Sequence, residues 1–258
     1  TPLPTGGTTN TPLGHWVHDN TAETIFNRLE AHGRTWKVYV EGDTGASLTG
    51  LIHWPQLHER FATHFVPFSE FEKDAASGNL PDFAMIEPNL LVGHGDYHPA
   101  AGAALVKGLD LDVDVPSSIL SGEAFLQRLF DAYRGMRSPD GANVWNTTLL
   151  IGWDEPGGTF DHVAPGPVPA PDPAAPAGQC GFRFERSGYR VPAIIVSPWV
   201  EPGSVYNDER RHTSLLATLR GLWDIGDVFT ERDKAAKPID YVFSRETPTD
   251  PDPWGVPR

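Results

Sequence analysis

Two adjacent acids, Asp154 and Glu155, follow a short apolar run, and an acid–imidazole pair, Asp161-His162, returns soon after. Both lie in one stretch, N-T-T-L-L-I-G-W-D-E-P-G-G-T-F-D-H-V at 146–163. The run over 147–153 predicts a buried strand, and open α/β sheets place ligands at the carboxyl ends of their strands. Pro156-Gly157-Gly158 predicts a tight turn, able to point both pairs into one space. Carboxylates with an imidazole suit a hard or borderline divalent cation, or acid–base chemistry. A solvated turn or a helix cap is the competing use of an acid pair. The returning Asp161-His162 is what favours chemistry.

A second polar loop has a similar setting. Glu87-Pro88-Asn89 closes another apolar run, and H-G-D-Y-H-P follows at 94–99. A loop leaving a parallel strand at that point falls on the same sheet edge. His94, Asp96 and His98 alternate, so they converge on a ligand if the loop curls. His98 is the strongest candidate, because Pro99 biases its backbone toward an extended form. Ser197 in S-P-W lacks the glycines of a nucleophile elbow and reads as a strand-end turn. His212-Thr213-Ser214 reads as a helix cap. Thr8 and Thr9 lie in a Gly/Thr loop, G-G-T-T-N at 6–10. Alone that loop is flexible chain. Beside a divalent ion, a threonine hydroxyl becomes a nucleophile, since the cation favours the alkoxide.

The elements that must hold these residues alternate in kind. Helices are predicted over 20–32, capped by Asn20 and ended by Gly33, over 56–64, and from a Ser69-x-x-Glu72 capping box to Gly78. Further helices are predicted over 122–134 and 213–223, the latter capped by His212 or Thr213. Strands are predicted over 35–41, 82–86, 147–153 and 191–196. Pro192 belongs at the start of the last strand, because it lacks a backbone donor. The alternation predicts an α/β fold: a mostly parallel sheet with helices on both faces. One domain is expected over 1–258, with a Pro/Ala-rich surface loop at 165–178 and a peripheral tail at 247–258.

Composition removes several function classes. The net charge is −14, without a long Lys/Arg run, which argues against nucleic acid as partner. Cys180 is the sole cysteine, so no internal disulfide is possible. No apolar run reaches the length of a membrane span. The first residue is not Met and no basic-then-apolar leader follows, so the N-terminus reads as processed, truncated or engineered.

Several blocks together resemble the bacterial phosphoesterase family of phospholipases C and AcpA-type acid phosphatases, in the alkaline-phosphatase-like superfamily. They are T-I-F-N-R-L-E-A-H-G-R-T-W-K-V-Y (24–39), I-E-P-N (86–89) with D-Y-H-P (96–99), and the block from Trp145 to Pro165 around W-D-E-P-G-G-T-F-D-H-V. F-E-R-S-G-Y-R-V-P-A-I-I-V-S-P-W-V-E-P-G (184–203), H-T-S-L-L-A-T-L (212–219) and F-T-E-R-D-K-A-A (229–236) follow in the family's order.

The resemblance implies metal-assisted attack of a Ser or Thr hydroxyl on a phosphate ester, with phospholipid favoured slightly over a soluble monoester. It implies a divalent metal ion held by Asp154 and Glu155. It places His98 and His162 in the active site, as ligands or as groups holding phosphoryl oxygens, and Thr8 or Thr9 at the nucleophile position. It also implies a secreted or periplasmic protein. The family's E-N-R-S-F-D-like segment, whose Glu-Asn pair completes the metal site, is not in this sequence. The expectation is therefore an N-terminally incomplete domain with an unpaired sheet edge. Two further readings stand beside hydrolysis of phosphate esters: a non-catalytic binding member of the fold, and a hydrolase of another ester such as a sulfate.

Overall fold

The computed structural model describes residues 18–42, 47–90, 95–97 and 119–250. The fold is α/β. The chain forms two compact units, Thr1–Asn143 and Val144–Arg258.

The first unit is built on a parallel sheet of order β2-β1-β3, with β1 at Trp36–Val40, β2 at Phe65–Pro67 and β3 at Phe83–Glu87. W-K-V-Y-V is almost continuously apolar, as a central parallel strand covered on both faces should be, and four of its five residues are buried. Trp36 pairs with Phe83 and Val40 with Glu87, so β1 and β3 end together. Pro67 lacks an amide proton and sits at the end of edge strand β2, where that is tolerated.

Alternation along β1 sends Trp36 and Tyr39 to opposite faces. On one face Phe26, from α1 (Ile25–Ala31), meets Trp36 with ring centroids 4.5 Å apart. On the other, Phe71, from α5 (Phe68–Ser77), meets Tyr39 at 5.4 Å. Helices thus cover both faces of this sheet. A longer helix, α6 (Ile119–Arg134), packs onto α5 through Phe125 and Phe68 at 4.9 Å. The sequence predicts an apolar side of Phe125, Leu126, Leu129, Phe130 and Tyr133; Phe125, Leu129 and Tyr133 are buried, and Leu126 and Phe130 are half-buried.

Three local details differ from the sequence reading. Helix α1 starts after Thr24, which forms a capping box with Asn27. Asn20 instead donates its side-chain amide to Ile52 O at 2.6 Å. Helix α5 starts directly after Pro67 with Ser69 already inside it, because burial of Phe68 fixes the entry; the Ser69/Glu72 box does not form. The predicted helix over 56–64 is three short turns: α3 (Trp54–Leu57), a 3₁₀ turn at His58–Arg60, and α4 (Phe61–His64). No side chain caps any of the three.

Glu87 closes β3 with a buried carboxylate. It accepts from Ser47 Oγ at 2.8 Å, Leu48 N at 2.5 Å and Thr49 N at 3.2 Å, and so satisfies the first amides of α2 (Leu48–Ile52).

The second unit holds a two-stranded antiparallel ladder of β4 (Leu149–Gly152) and β5 (Ala193–Val196), with Leu149 opposite Val196 and Gly152 opposite Ala193. The alternation of elements predicts these strands in a mostly parallel sheet; they pair antiparallel instead, and the parallel pairing belongs to the first unit. Helix α7 (Thr213–Trp223) and a short α8 (Glu231–Lys234) are joined by a buried ion pair, Arg220 Nη1 to Asp233 Oδ2 at 2.6 Å. Leu219, Ile225 and Val242 are buried in this unit.

Two outcomes test the first unit. Glu87→Gln puts an amide NH₂ against amide and hydroxyl donors, so chemical denaturation should show a loss of about 2–3 kcal/mol. A loss below about 0.5 kcal/mol, the size of an ordinary surface change, would refute the capping role. Burial also pushes the His53 and His64 imidazoles below their ordinary value of 6.5. The unfolded chain then binds more protons than the folded one between the lowered value and 6.5, so stability rises with pH there and falls on acidification. The thermal midpoint should drop as pH falls through 6.5, with a shallower slope in His53→Gln. An unchanged slope in that variant and in His64→Gln would rule the two histidines out.

Candidate active site

The stretch singled out by its acids leaves the ladder at Gly152. Trp153 O meets His212 Nε2 at 2.8 Å, which ties the end of β4 to the start of α7. His212 makes no side-chain cap on its own helix, and Ser214 Oγ accepts from Arg211 N at 2.9 Å instead. Ser197 Oγ accepts from Trp199 N at 3.3 Å, as a strand-end turn requires.

The turn after Trp153 is held by the acids themselves. Asp154 Oδ1 accepts from Glu155 N and Glu155 Oε2 from Gly157 N, each at 2.9 Å. Gly157 and Gly158 both take positive φ, 60° and 81°, which is why glycine stands at both positions. Thr159 N closes the turn on Pro156 O at 3.0 Å. One oxygen of each acid is thus engaged by the turn, and both side chains are exposed. Oxygen donors of this kind suit a hard cation, but two carboxylates are only part of a ligand set. Among the described residues, no group of three or more His, Cys, Asp or Glu is arranged to hold a metal ion.

The second pair has a different setting. Asp161 is clasped by Arg190, with Nε to Oδ2 at 2.8 Å and Nη2 to Oδ1 at 2.9 Å. Val163 N adds a bond to Oδ1 at 3.0 Å. The guanidinium fork first, and that amide second, hold the Asp161 carboxyl well below the usual carboxylate range. His162 Nδ1 lies 3.6 Å from Asp161 Oδ1, and its side chain is 85% exposed.

Nothing in the local sequence singles out Arg190. It stands just before β5, and only an antiparallel ladder brings the start of β5 to the end of β4. Between clasp and clasp, residues 161–190 form an arm whose two legs pair: Ser187 N donates to Gly166 O at 2.9 Å and Val168 N to Glu185 O at 3.0 Å. Arg232 of α8 anchors both legs, donating to Pro169 O at 2.9 Å and to Phe184 O. The Pro/Ala-rich stretch at 165–178 lies on the outgoing leg and is largely exposed.

In the first unit, Asp96 and Tyr97 of the D-Y-H-P motif are among the described residues. Tyr97 has φ 60°, rare for a residue with a side chain, and its hydroxyl donates to Glu123 Oε1 at 2.8 Å. Burial, with the Glu123 carboxylate, pushes its phenol up to about 12. Its ring lies against Gly122 of α6, where a Cβ would overlap it. Nearby, Glu41 follows β1 and accepts from Asn89 N at 2.9 Å. Burial pushes its carboxyl up, and the Asn89 amide and Arg128 oppose this. Thr8, Thr9, His94 and His98 lie outside the described residues.

The structure shows an α/β fold with an acid-bearing turn at a strand end, and the family follows from similarity to known proteins. The phosphoesterase family matches residues 2–226, and the chain belongs to that family. It is 35% identical to non-specific phospholipase C6 of Arabidopsis thaliana, over 87% of this chain and 42% of that protein. It is 28% identical to non-specific phospholipase C3 of the same plant, over 91% and 43%. Phospholipase C A of Mycobacterium tuberculosis is 27% identical, over 85% and 43%. The chain therefore spans less than half the length of the curated relatives it matches.

The Tyr97–Gly122 contact has a test of reversed sign. Gly→Ala inside a helix ordinarily gains up to about 1 kcal/mol. Gly122→Ala should instead lose about 1–3 kcal/mol, because the new methyl overpacks against the Tyr97 ring. A stabilised variant in denaturant titration would refute that contact.

Proposed function

We propose that the chain carries metal-dependent hydrolysis of phosphate esters, of the phospholipase C type, through a threonine nucleophile. Membership of the phosphoesterase family over residues 2–226 carries this reading. The relatives are consistent in kind: phospholipases C of a plant and of a mycobacterium, which favours a phospholipid over a soluble monoester as substrate. Asp154 and Glu155 are the proposed carboxylate ligands, each with one oxygen engaged by the turn. A divalent ion bound there would supply Lewis-acid stabilisation of the phosphoryl oxygens. His98 and His162 are proposed to complete the site or to hold phosphoryl oxygens. Thr8 and Thr9 are the candidate nucleophiles. A secreted or periplasmic location is proposed with the function.

Asp161 and Arg190 do positioning work in this scheme. The clasp fixes the backbone on either side of His162, so the imidazole is presented from a defined point.

The test is hydrolysis of p-nitrophenylphosphorylcholine and p-nitrophenyl phosphate, with and without chelator, by the chain and by Asp154→Ala. Turnover should be lost on chelation, be restored by divalent metal, and fall by at least about a hundredfold in Asp154→Ala. A preference for the choline ester supports phospholipase C, and the reverse preference supports an acid phosphatase. Competition by sulfate rather than phosphate would point to another ester. Absence of turnover by folded protein with metals restored would replace the proposal with a non-catalytic binding member of the fold.

A further inference from the structure

The arm at 161–190 carries a surface feature that the turn chemistry does not use. Its returning leg reads F-R-F-E-R-S-G-Y-R over 182–190, with aromatic and arginine side chains interleaved. Phe182, Phe184 and Tyr189 are 45%, 49% and 44% exposed. Phe160 and Val163, at the base of the arm, are 86% and 40% exposed. Other large apolar side chains are exposed elsewhere, Leu120 at 73% and Val205 at 79% among them, and single ones need no explanation. What sets the arm apart is that Phe182, Phe184 and Tyr189 fall within eight residues of one leg.

The tip is built rather than loose. Gly178 N donates to Phe182 O at 2.8 Å, closing a 3₁₀ turn at Gln179–Gly181. Cys180 and Phe184 both take positive φ, 54° and 59°, a conformation that non-glycine residues adopt at a cost of roughly 1 kcal/mol or more each. The rings of Phe182 and Phe184 contact each other edge to face at 4.9 Å, outside any core. Arg232 fixes the backbone at Phe184 O, and Glu231 N fixes the other leg at Pro171 O, 3.0 Å away. Strain at two positions therefore holds two large apolar rings in water on a braced support.

Charge narrows the partner. The whole chain is at −14, yet the leg at 182–190 has three arginines against one glutamate. Arg190 is neutralised by Asp161 and Arg186 donates to Pro165 O at 2.8 Å, while Arg183 stands exposed between the two rings. Aromatic rings with arginines between them are the composition of an element that lies in a lipid headgroup region, where rings enter the acyl boundary and cations meet phosphates.

We propose that this arm docks on an anionic phospholipid surface, with Phe182 and Phe184 inserting and Arg183 facing the headgroup phosphates. The proposal deepens the phospholipid reading above and rests on it. An arm held between the Asp161–Arg190 clasp and Arg232 would fix how the turn bearing Asp154 and Glu155 meets the lipid layer.

The experiment is co-sedimentation of the full chain with phosphatidylcholine vesicles, with and without about one-third phosphatidylglycerol, in the presence of chelator so that no hydrolysis is required. Binding is expected to favour the anionic vesicles and to weaken with added salt. The double variant Phe182→Ser/Phe184→Asn, which keeps a residue tolerant of positive φ at 184, should bind about tenfold or more weaker. Arg183→Glu should remove most of the preference for anionic lipid. Thermal unfolding checks that both variants remain folded. Equal vesicle binding by wild type and the double variant, or no vesicle binding by wild type, overturns the proposal. Self-association that the double variant abolishes, without lipid binding, overturns it in favour of a second copy of the chain. Binding without hydrolysis in the esterase assay leaves docking standing and removes the catalytic reading instead.

Discussion

The antiparallel pairing of Leu149–Gly152 with Ala193–Val196 is the constraint on which the second unit depends. Antiparallel register puts the last residue of one strand opposite the first of the other, so the chain leaving β4 and the chain entering β5 start from the same place. Forty residues separate Gly152 from Ala193, and they must depart and return at that point. The Asp161–Arg190 clasp closes the excursion near its base with a bidentate, charge-assisted pair. A parallel pairing would have carried Arg190 to the opposite end of the ladder. Clasp and arm are therefore consequences of one strand direction, while the acid turn is fixed locally by its own hydrogen bonds and glycines.

The clasp is surface-exposed on the Arg190 side, so its value lies in geometry more than in stability. A two-stranded ladder gives little rigidity of its own. Fixing both ends of an irregular excursion substitutes for further strands. Around it, the His212 contact to Trp153 O and the Arg232 contacts to Pro169 and Phe184 connect helix ends to loop backbone. Such side-chain-to-backbone bonds satisfy carbonyls that no regular element serves.

The fold was legible where local pattern decides it. The helix over 122–134, the strand W-K-V-Y-V and the helix over 213–223 rest on local pattern, and the structure has them with small changes at the ends. What depends on distant partners was not legible. Strand direction in the second unit is set by packing, not by the alternation of elements, and missing it concealed Arg190. Thr24 rather than Asn20 caps α1 because Asn20 is drawn to Ile52 O, thirty-two residues away. The Ser69/Glu72 motif is locally sound, yet burial of Phe68 starts the helix earlier. Of the candidate site, the acid turn and its two glycines could be read directly, since Gly157 and Gly158 serve a backbone need that sequence displays. The setting of Asp161 could not, because a carboxylate before a histidine looks the same whether it faces a metal or an arginine.

Charge gives the strongest physical reason to include a metal in the proposed reaction. A phosphate ester is anionic, and the turn that would receive it presents Asp154 and Glu155 in a chain of net charge −14. Unaided, such a turn would repel an anionic ester, and salt screens the repulsion only beyond about 8–10 Å. A divalent cation between the carboxylates and the phosphoryl oxygens would reverse the sign of the local field, as bound cations do wherever they are the largest charge in a site. Arginine could serve instead, but Arg190, at the base of the arm, is already committed to Asp161 through two bonds of its guanidinium. In the proposed reaction the acid pair would therefore serve chiefly as a cation holder, and Arg183, exposed on the arm, would be left for phosphates at the proposed lipid surface.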